Sequence, residues 1–151
     1  MKLIIAGSRH FDIPLSNIGP LINVACQSAF QHPGFYTHGL EELVTGCSET
    51  GIDSIVRDWF KGFRPAETTR VSKRGVTHHN PFGGTKKLTV FTALWKEEGL
   101  AAGPRRNAEM AEYADALLLI WDGKSPGSAS MLREAKKRDL KIVQVIIGGG
   151  G

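Results

Sequence analysis

The run Gly103-Pro104-Arg105-Arg106-Asn107 puts two arginines into the opening turn of an expected helix. Pro104 suits that turn, because its missing N–H needs no partner there. The positive end of the helix dipole opposes cations, so a helix that only had to fold would carry Asp or Glu instead. Two guanidinium groups at this position suit a bound anion, which they can grip in a bidentate fork and which offsets the repulsion. The alternative is a pair of solvated surface arginines.

Three further turns carry related chemistry. Gly7-Ser8-Arg9 follows an apolar run at 2–6. Gly46-Cys47-Ser48-Glu49-Thr50-Gly51-Ile52-Asp53 follows Leu43-Val44-Thr45. Trp121-Asp122-Gly123-Lys124-Ser125-Pro126-Gly127-Ser128 follows the most apolar run of the chain, at 116–120. Turns rich in Gly and Ser that open a helix present unpaired backbone N–H groups to a phosphate. The second turn is not a Walker loop, since it lacks the Gly-Lys-Ser/Thr ending. Asp53 either caps its helix or receives a ribose hydroxyl. Cys47 is a reactive thiol by position or a small turn filler. Trp121 either stacks a ligand ring or packs into the core. His78-His79 has no acidic or cysteine neighbour at ligand spacing, and Cys26 and Cys47 form neither a disulfide framework nor a metal knuckle, so no metal and no cofactor are expected.

The elements that must position these turns alternate. Strands are expected at 2–6, 43–45, 87–92, 116–120 and 141–146. Helices are expected at 14–30, after Asp53, from Pro104 and after Ser128, each with apolar residues at helical spacing. The order predicts an α/β, Rossmann-like, doubly wound, mainly parallel five-stranded sheet flanked by helices. Residues 1–147 read as a single domain, and 148–151 as a flexible glycine tail. Residues 64–87, rich in Gly, Pro and basic side chains, read as an insertion over one edge, a lid or an oligomer contact, with a small hairpin from 68–71 and 75–77.

The formal charge of +4 suits an anionic small molecule better than a nucleic-acid groove, because no stripe of basic and aromatic residues accompanies it. No apolar run approaches membrane-spanning length and no leader is visible, so a cytoplasmic protein is expected.

Taken together, Gly7-Ser8-Arg9, the 46–53 turn, Ala102-Gly103-Pro104-x-Arg106-Asn107-x-x-Met110 and Trp121-Asp122-Gly123-x-Ser125-x-Gly127-Ser128 resemble the SLOG superfamily in its YspA-like (cpYpsA-related) branch. More distantly they resemble Lonely Guy (LOG) phosphoribohydrolases and the single-strand DNA-binding protein DprA. The resemblance implies a Rossmann-like domain that binds a nucleotide or an ADP-ribose-type signal, in a setting of phage or bacterial conflict, and that assembles as a homo-oligomer. On that reading the ligand-binding residues are Gly7, Ser8, Arg9, Gly46, Cys47, Asp53, Gly103, Arg105, Arg106, Asn107, Trp121, Asp122, Gly123, Ser125, Gly127 and Ser128. In the LOG enzymes, which cut the N-glycosidic bond of nucleoside 5′-monophosphates, a Gly-Gly-x-Gly-Thr turn is followed closely by a glutamate. Here Ala129-Ser130-Met131 follows Ser128, and the first carboxylate is Glu134. Binding without cleavage is therefore the first expectation, with Glu109 and Asp122 the candidate catalytic carboxylates if cleavage occurs. DprA-like single-strand DNA binding is the third reading.

Overall fold

The computed structural model describes residues 1–10, 13–29, 41–61, 67–79 and 87–147. The loop expected at 31–39 and the glycine tail lie outside the described residues. The chain runs β1 (Lys2–Gly7), a 3-10 turn (Leu15–Asn17), α1 (Ile18–Val24) closing in a π-helical turn (Ala25–Ala29), β2 (Glu42–Gly46) and α2 (Ile52–Lys61). It continues through β3 (Glu67–Arg70), β4 (Gly75–His79), β5 (Lys87–Phe91), α3 (Trp95–Glu98), a 3-10 turn (Gly99–Ala101) and α4 (Ala102–Tyr113). The last elements are β6 (Ala116–Trp121), α5 (Pro126–Lys137) and β7 (Lys141–Ile146).

Among the described residues all the strands join one sheet in the order β3-β4-β5-β2-β1-β6-β7, with β5, β2, β1, β6 and β7 parallel. The α/β, mainly parallel, helix-flanked architecture is the expected one, but among the described residues the sheet has seven strands rather than five. The difference is the hairpin. Rather than lying over the edge, β4 pairs antiparallel with β5 from Gly75↔Phe91 to His79↔Lys87, and β3 pairs with β4. The outer backbone groups of β5 need partners, and the hairpin supplies them.

Strand alternation sorts the core into two layers. Leu3, Ile5, Leu43, Leu118 and Ile120 face α1 and α2, where Ile18, Ile22, Ile52, Val56 and Phe60 are buried. Ile4, Ala6, Val44, Leu117, Leu119 and Trp121 face the other way, onto Met110 and Ala111 of α4 and Met131 and Ala135 of α5. Both faces of the central strands are thus covered, which is why they read as unbroken apolar runs. Among the described residues no helix is long and apolar enough to cross a membrane.

Candidate functional site

β1 lies between β2 and β6. The chain moves to one side of β1 through β2 and later returns to its other side through β6, so β1 is the switch point of the sheet. In open α/β sheets the crevice at the carboxyl ends of such strands is where ligands sit. A cleft of about 320 Å³ opens there. Ser8, Arg9 and His10 line it after β1, Gly46 and Ser48 at the end of β2, and Asp53 from the first turn of α2. Arg106, Asn107 and Met110 enter from α4, and Ser125, Pro126, Gly127, Ser128 and Met131 from the start of α5. Ala6, Met110 and Met131 form an apolar floor under a polar rim.

Each wall has a local cause. α2 is brought against the loop after β1 by Gly51, whose φ of 75° favours glycine and whose Cα lies so close that a Cβ would meet the Ser8 carbonyl oxygen at 2.3 Å. The Ile52 N–H then donates to Ser8 O at 3.3 Å. Arg57 staples the same turn, with Nη1 donating to Gly46 O at 2.9 Å and Nη2 to Ser48 O at 2.7 Å. On the opposite side Asn107 is 4% exposed and ties α4 to α5. Its Nδ2 lies 3.3 Å from both Gly127 O and Ser130 Oγ, and its Oδ1 accepts from Arg106 Nε at 2.9 Å. Asn107 therefore sets the direction of the Arg106 guanidinium.

Gly46 lets that guanidinium approach Asp53. A Cβ on Gly46 would lie 2.6 Å from Arg106 Nη1 and 2.6 Å from Asp53 Oδ2. Asp53 is 6% exposed, accepts from the Ser48 N–H at 3.3 Å, and has Thr45 Oγ1 3.3 Å from its Oδ1. Burial pushes its carboxyl above the ordinary range, against the opposing pull of Arg106, the Ser48 hydrogen bond, Arg57 and Thr45.

The turn after β6 is ordered by Asp122. Its Oδ1 accepts from the backbone N–H of Lys124 and of Ser125, both at 2.8 Å, and from Ser125 Oγ at 2.9 Å. These hydrogen bonds pull its pKa down to about 2. A carboxylate only accepts, so Ser125 donates to Asp122, and Ser8 Oγ, 2.8 Å from Ser125 Oγ, donates to Ser125. Ser8 consequently presents lone pairs to the cleft, a match for a ligand hydroxyl, while its N–H donates to Ile120 O at 3.2 Å. With its hydroxyl engaged this way, Ser125 makes no side-chain cap for α5. The first N–H groups of a helix have no intrahelical acceptor, so those of Gly127 and Ser128 remain for an anion. The Ser128 side chain is itself buried at 6% exposure, and its hydroxyl finds no partner among the described residues.

Ten of the residues expected at a ligand thus line one cleft: Gly7, Ser8, Arg9, Gly46, Asp53, Arg106, Asn107, Ser125, Gly127 and Ser128. The others lie elsewhere. α4 starts at Ala102 rather than at Pro104, so Arg105 closes its first turn and Arg106 begins the second instead of both opening the helix. Arg105, about 100° round the helix from Arg106, is 61% exposed and pairs with Glu98 at 3.1 Å. The Trp121 ring is buried between sheet and helices, with Nε1 donating to Gln144 Oε1 at 3.1 Å. Cys47 Sγ accepts from the Ala93 N–H at 3.4 Å and has Arg106 Nη1 at 4.0 Å. Gly103 is buried under the Trp95 ring, and Gly123 and Asp122 shape the turn without lining the cleft. Glu109, a candidate carboxylate, accepts from Arg74 Nη1 at 2.8 Å and from the Ser72 hydroxyl. Glu134 is paired with Arg138 at 2.6 Å.

Ala6, His10, Ser48, Met110, Pro126 and Met131 also line the cleft, and Arg57 supports it, without being among the residues expected at a ligand. His10, Ser48 and Pro126 lie inside or beside the Gly- and Ser-rich turns, where the sequence signal is present. Met131 carries only the signal of an ordinary core residue, whereas Met110 already stands in the 102–110 motif. Among the described residues no group of three or more His, Cys, Asp or Glu side chains is placed to hold a metal ion. Comparison with protein-family models, curated proteins and solved structures gave no match to this chain.

Proposed function

We propose that this chain binds a nucleotide or an ADP-ribose-derived small molecule and acts as a sensor or scavenger of it, in keeping with its resemblance to the SLOG superfamily and with a role in phage or bacterial conflict. The observation that carries the reading is that Arg9 and Arg106, distant in sequence, line the same cleft beside the free first-turn amides of α5. The phosphate sits between Arg106 and the Gly127 and Ser128 N–H groups, with Arg9 at the rim. The apolar floor of Ala6, Met110 and Met131 takes a ring, and Ser8 accepts from a ribose hydroxyl. Isothermal titration calorimetry with AMP, ADP-ribose and cyclic ADP-ribose isomers tests this. Arg106→Ala is expected to weaken binding by about tenfold or more, the worth of one charge-assisted hydrogen bond. No binding of any of these at millimolar concentration, or an unchanged Arg106→Ala variant, sinks it. The same resemblance supplies a homo-oligomer, which light scattering of the full chain tests.

A second reading, LOG-type N-glycosidase activity on nucleoside 5′-monophosphates, is favoured by one observation: Asp53 is a carboxyl in the cleft with its pKa raised. Such a group can hand a proton to a departing base or direct water to the anomeric carbon. Chromatographic detection of free adenine from AMP, lost in Asp53→Asn, would put cleavage ahead of binding.

A further inference from the structure

The two edges of the sheet differ. β3, at one end, is four residues long, lies in a hairpin and carries Glu67 and Arg70. Short, charged edges resist pairing with other chains. β7, at the other end, runs for six residues, Lys141-Ile142-Val143-Gln144-Val145-Ile146, and Lys141 is its one charged side chain. Ile146 is 56% exposed. Among the described residues β7 pairs on one side alone, with β6.

The backbone shows which of its groups face outward. The N–H and C=O of one strand residue point to the same side, and the side alternates along the chain. The Lys141 N–H donates to Asp115 O at 3.4 Å and the Ile147 N–H to Trp121 O at 2.9 Å, both on the β6 side. The odd-numbered residues therefore bond toward β6, and Ile142, Gln144 and Ile146 turn their N–H and C=O away from it.

These three residues are complementary to themselves. A two-fold axis perpendicular to the sheet sets two copies of β7 antiparallel and keeps residues of like parity opposite each other. With the axis at Gln144, Gln144 meets its own counterpart, and Ile142 of each copy meets Ile146 of the other. Every outward group is then used, in three pairs of two hydrogen bonds each. Moving the axis to Val143 or Val145 leaves two such pairs within the strand. The same register suits the side chains. Ile146 lies against Ile142 of the second copy on one face, and Val143 lies opposite Val145 on the other, which are favourable cross-strand pairs. Lys141 falls beside Ile147, so the two lysines stand about 20 Å apart, beyond the reach of screened repulsion.

We infer that β7 is the assembly surface of this protein: two copies pair their β7 strands antiparallel about Gln144 and make one continuous sheet. This pairing deepens the homo-oligomer reading, which names no surface. The cleft is lined by residues of other elements, so the pairing stands apart from nucleotide binding.

Sedimentation velocity of the full chain at about 100 μM tests it. The wild type is expected at twice 16.4 kDa. Gln144→Glu keeps the acceptor for Trp121 Nε1, 3.1 Å from Gln144 Oε1, but sets two carboxylates face to face at the axis. It is expected to weaken the dimer about tenfold or more while keeping the circular dichroism of the wild type. An equimolar mixture of Gln144→Glu and Gln144→Lys is expected to regain the dimer, since opposite charges then face each other. Ile146→Pro removes an outward N–H without touching the bonds to β6, and is expected to weaken the dimer to a similar degree. A wild type that stays at 16.4 kDa removes both this surface and the homo-oligomer. A dimer that survives Gln144→Glu and Ile146→Pro, or a charge mixture that fails to reassociate, overturns β7 as the surface while the homo-oligomer stands.

Discussion

A methyl group added at Gly46 would press on the ends of both Arg106 and Asp53, and either end moves more easily than the backbone. Gly46→Ala should therefore fold with a melting temperature within a few degrees of wild type yet bind AMP about tenfold more weakly, the loss of one charge-assisted contact, read by calorimetry and thermal melting together. Asp53 gives a test of sign. Its carboxyl titrates above the ordinary value of 3.8 in the folded chain, so folding favours the protonated form. Stability is lost as pH rises through the raised value, and Asn escapes that loss. Asp53→Asn should thus melt a few degrees above wild type at pH 7, with the gap closing as pH falls to about 4. At this scale the glycines and serines of the turns were legible in the sequence, because their conformational freedom and donors belong to the residue type. Which of Arg105 and Arg106 meets the cleft was not legible, since neighbours on a helix point about 100° apart and only packing chooses between them. Trp121 shares strand parity with Leu117 and Leu119, so alternation alone places its ring in the core layer with them.

The hairpin is fastened to α3 and α4 by three neighbouring side chains of its turn, with Lys73 paired to Glu97 at 2.7 Å and Arg74 the more buried of the two cations. Arg74, 16% exposed, pairs with Glu98 and with Glu109, and Ser72 bonds both Glu109 and the turn amides of Arg74 and Gly75. Burial works against the Glu98 charge, but the hydrogen bonds from Arg74 and Arg105 hold its pKa below the ordinary range. Removing the guanidinium leaves two carboxylates facing each other across the gap. Arg74→Ala should lower the melting temperature by several degrees and speed amide exchange in β3 and β4, with AMP affinity unchanged. Arg105→Ala, at a more exposed partner, should lower it less. The parallel strands and their helices could be read from apolar runs and helical spacing. The attachment of β4 to β5 could not, because its pattern of Gly, Thr and His carries little alternation and its partner is chosen by an edge that only the folded sheet creates.

Across the whole molecule, two core layers on opposite faces of one sheet hold the strand ends in register, and the cleft inherits its shape from that register. Its walls and floor come from 6–10, 46–53, 106–110 and 125–131, four stretches that have no common neighbourhood in the unfolded chain. A form in which any of the four has come away lacks that wall, so an occupant that touches them all acts as a clasp on the complete fold. Any molecule that binds there at about a hundred times its Kd adds about 2.7 kcal/mol to stability, a melting shift of roughly 5–10 °C for a chain of this size. Thermal denaturation against a library of phosphorylated metabolites therefore turns the scattered origin of the walls into a search tool. The compound that raises the transition furthest identifies what the protein was built to hold.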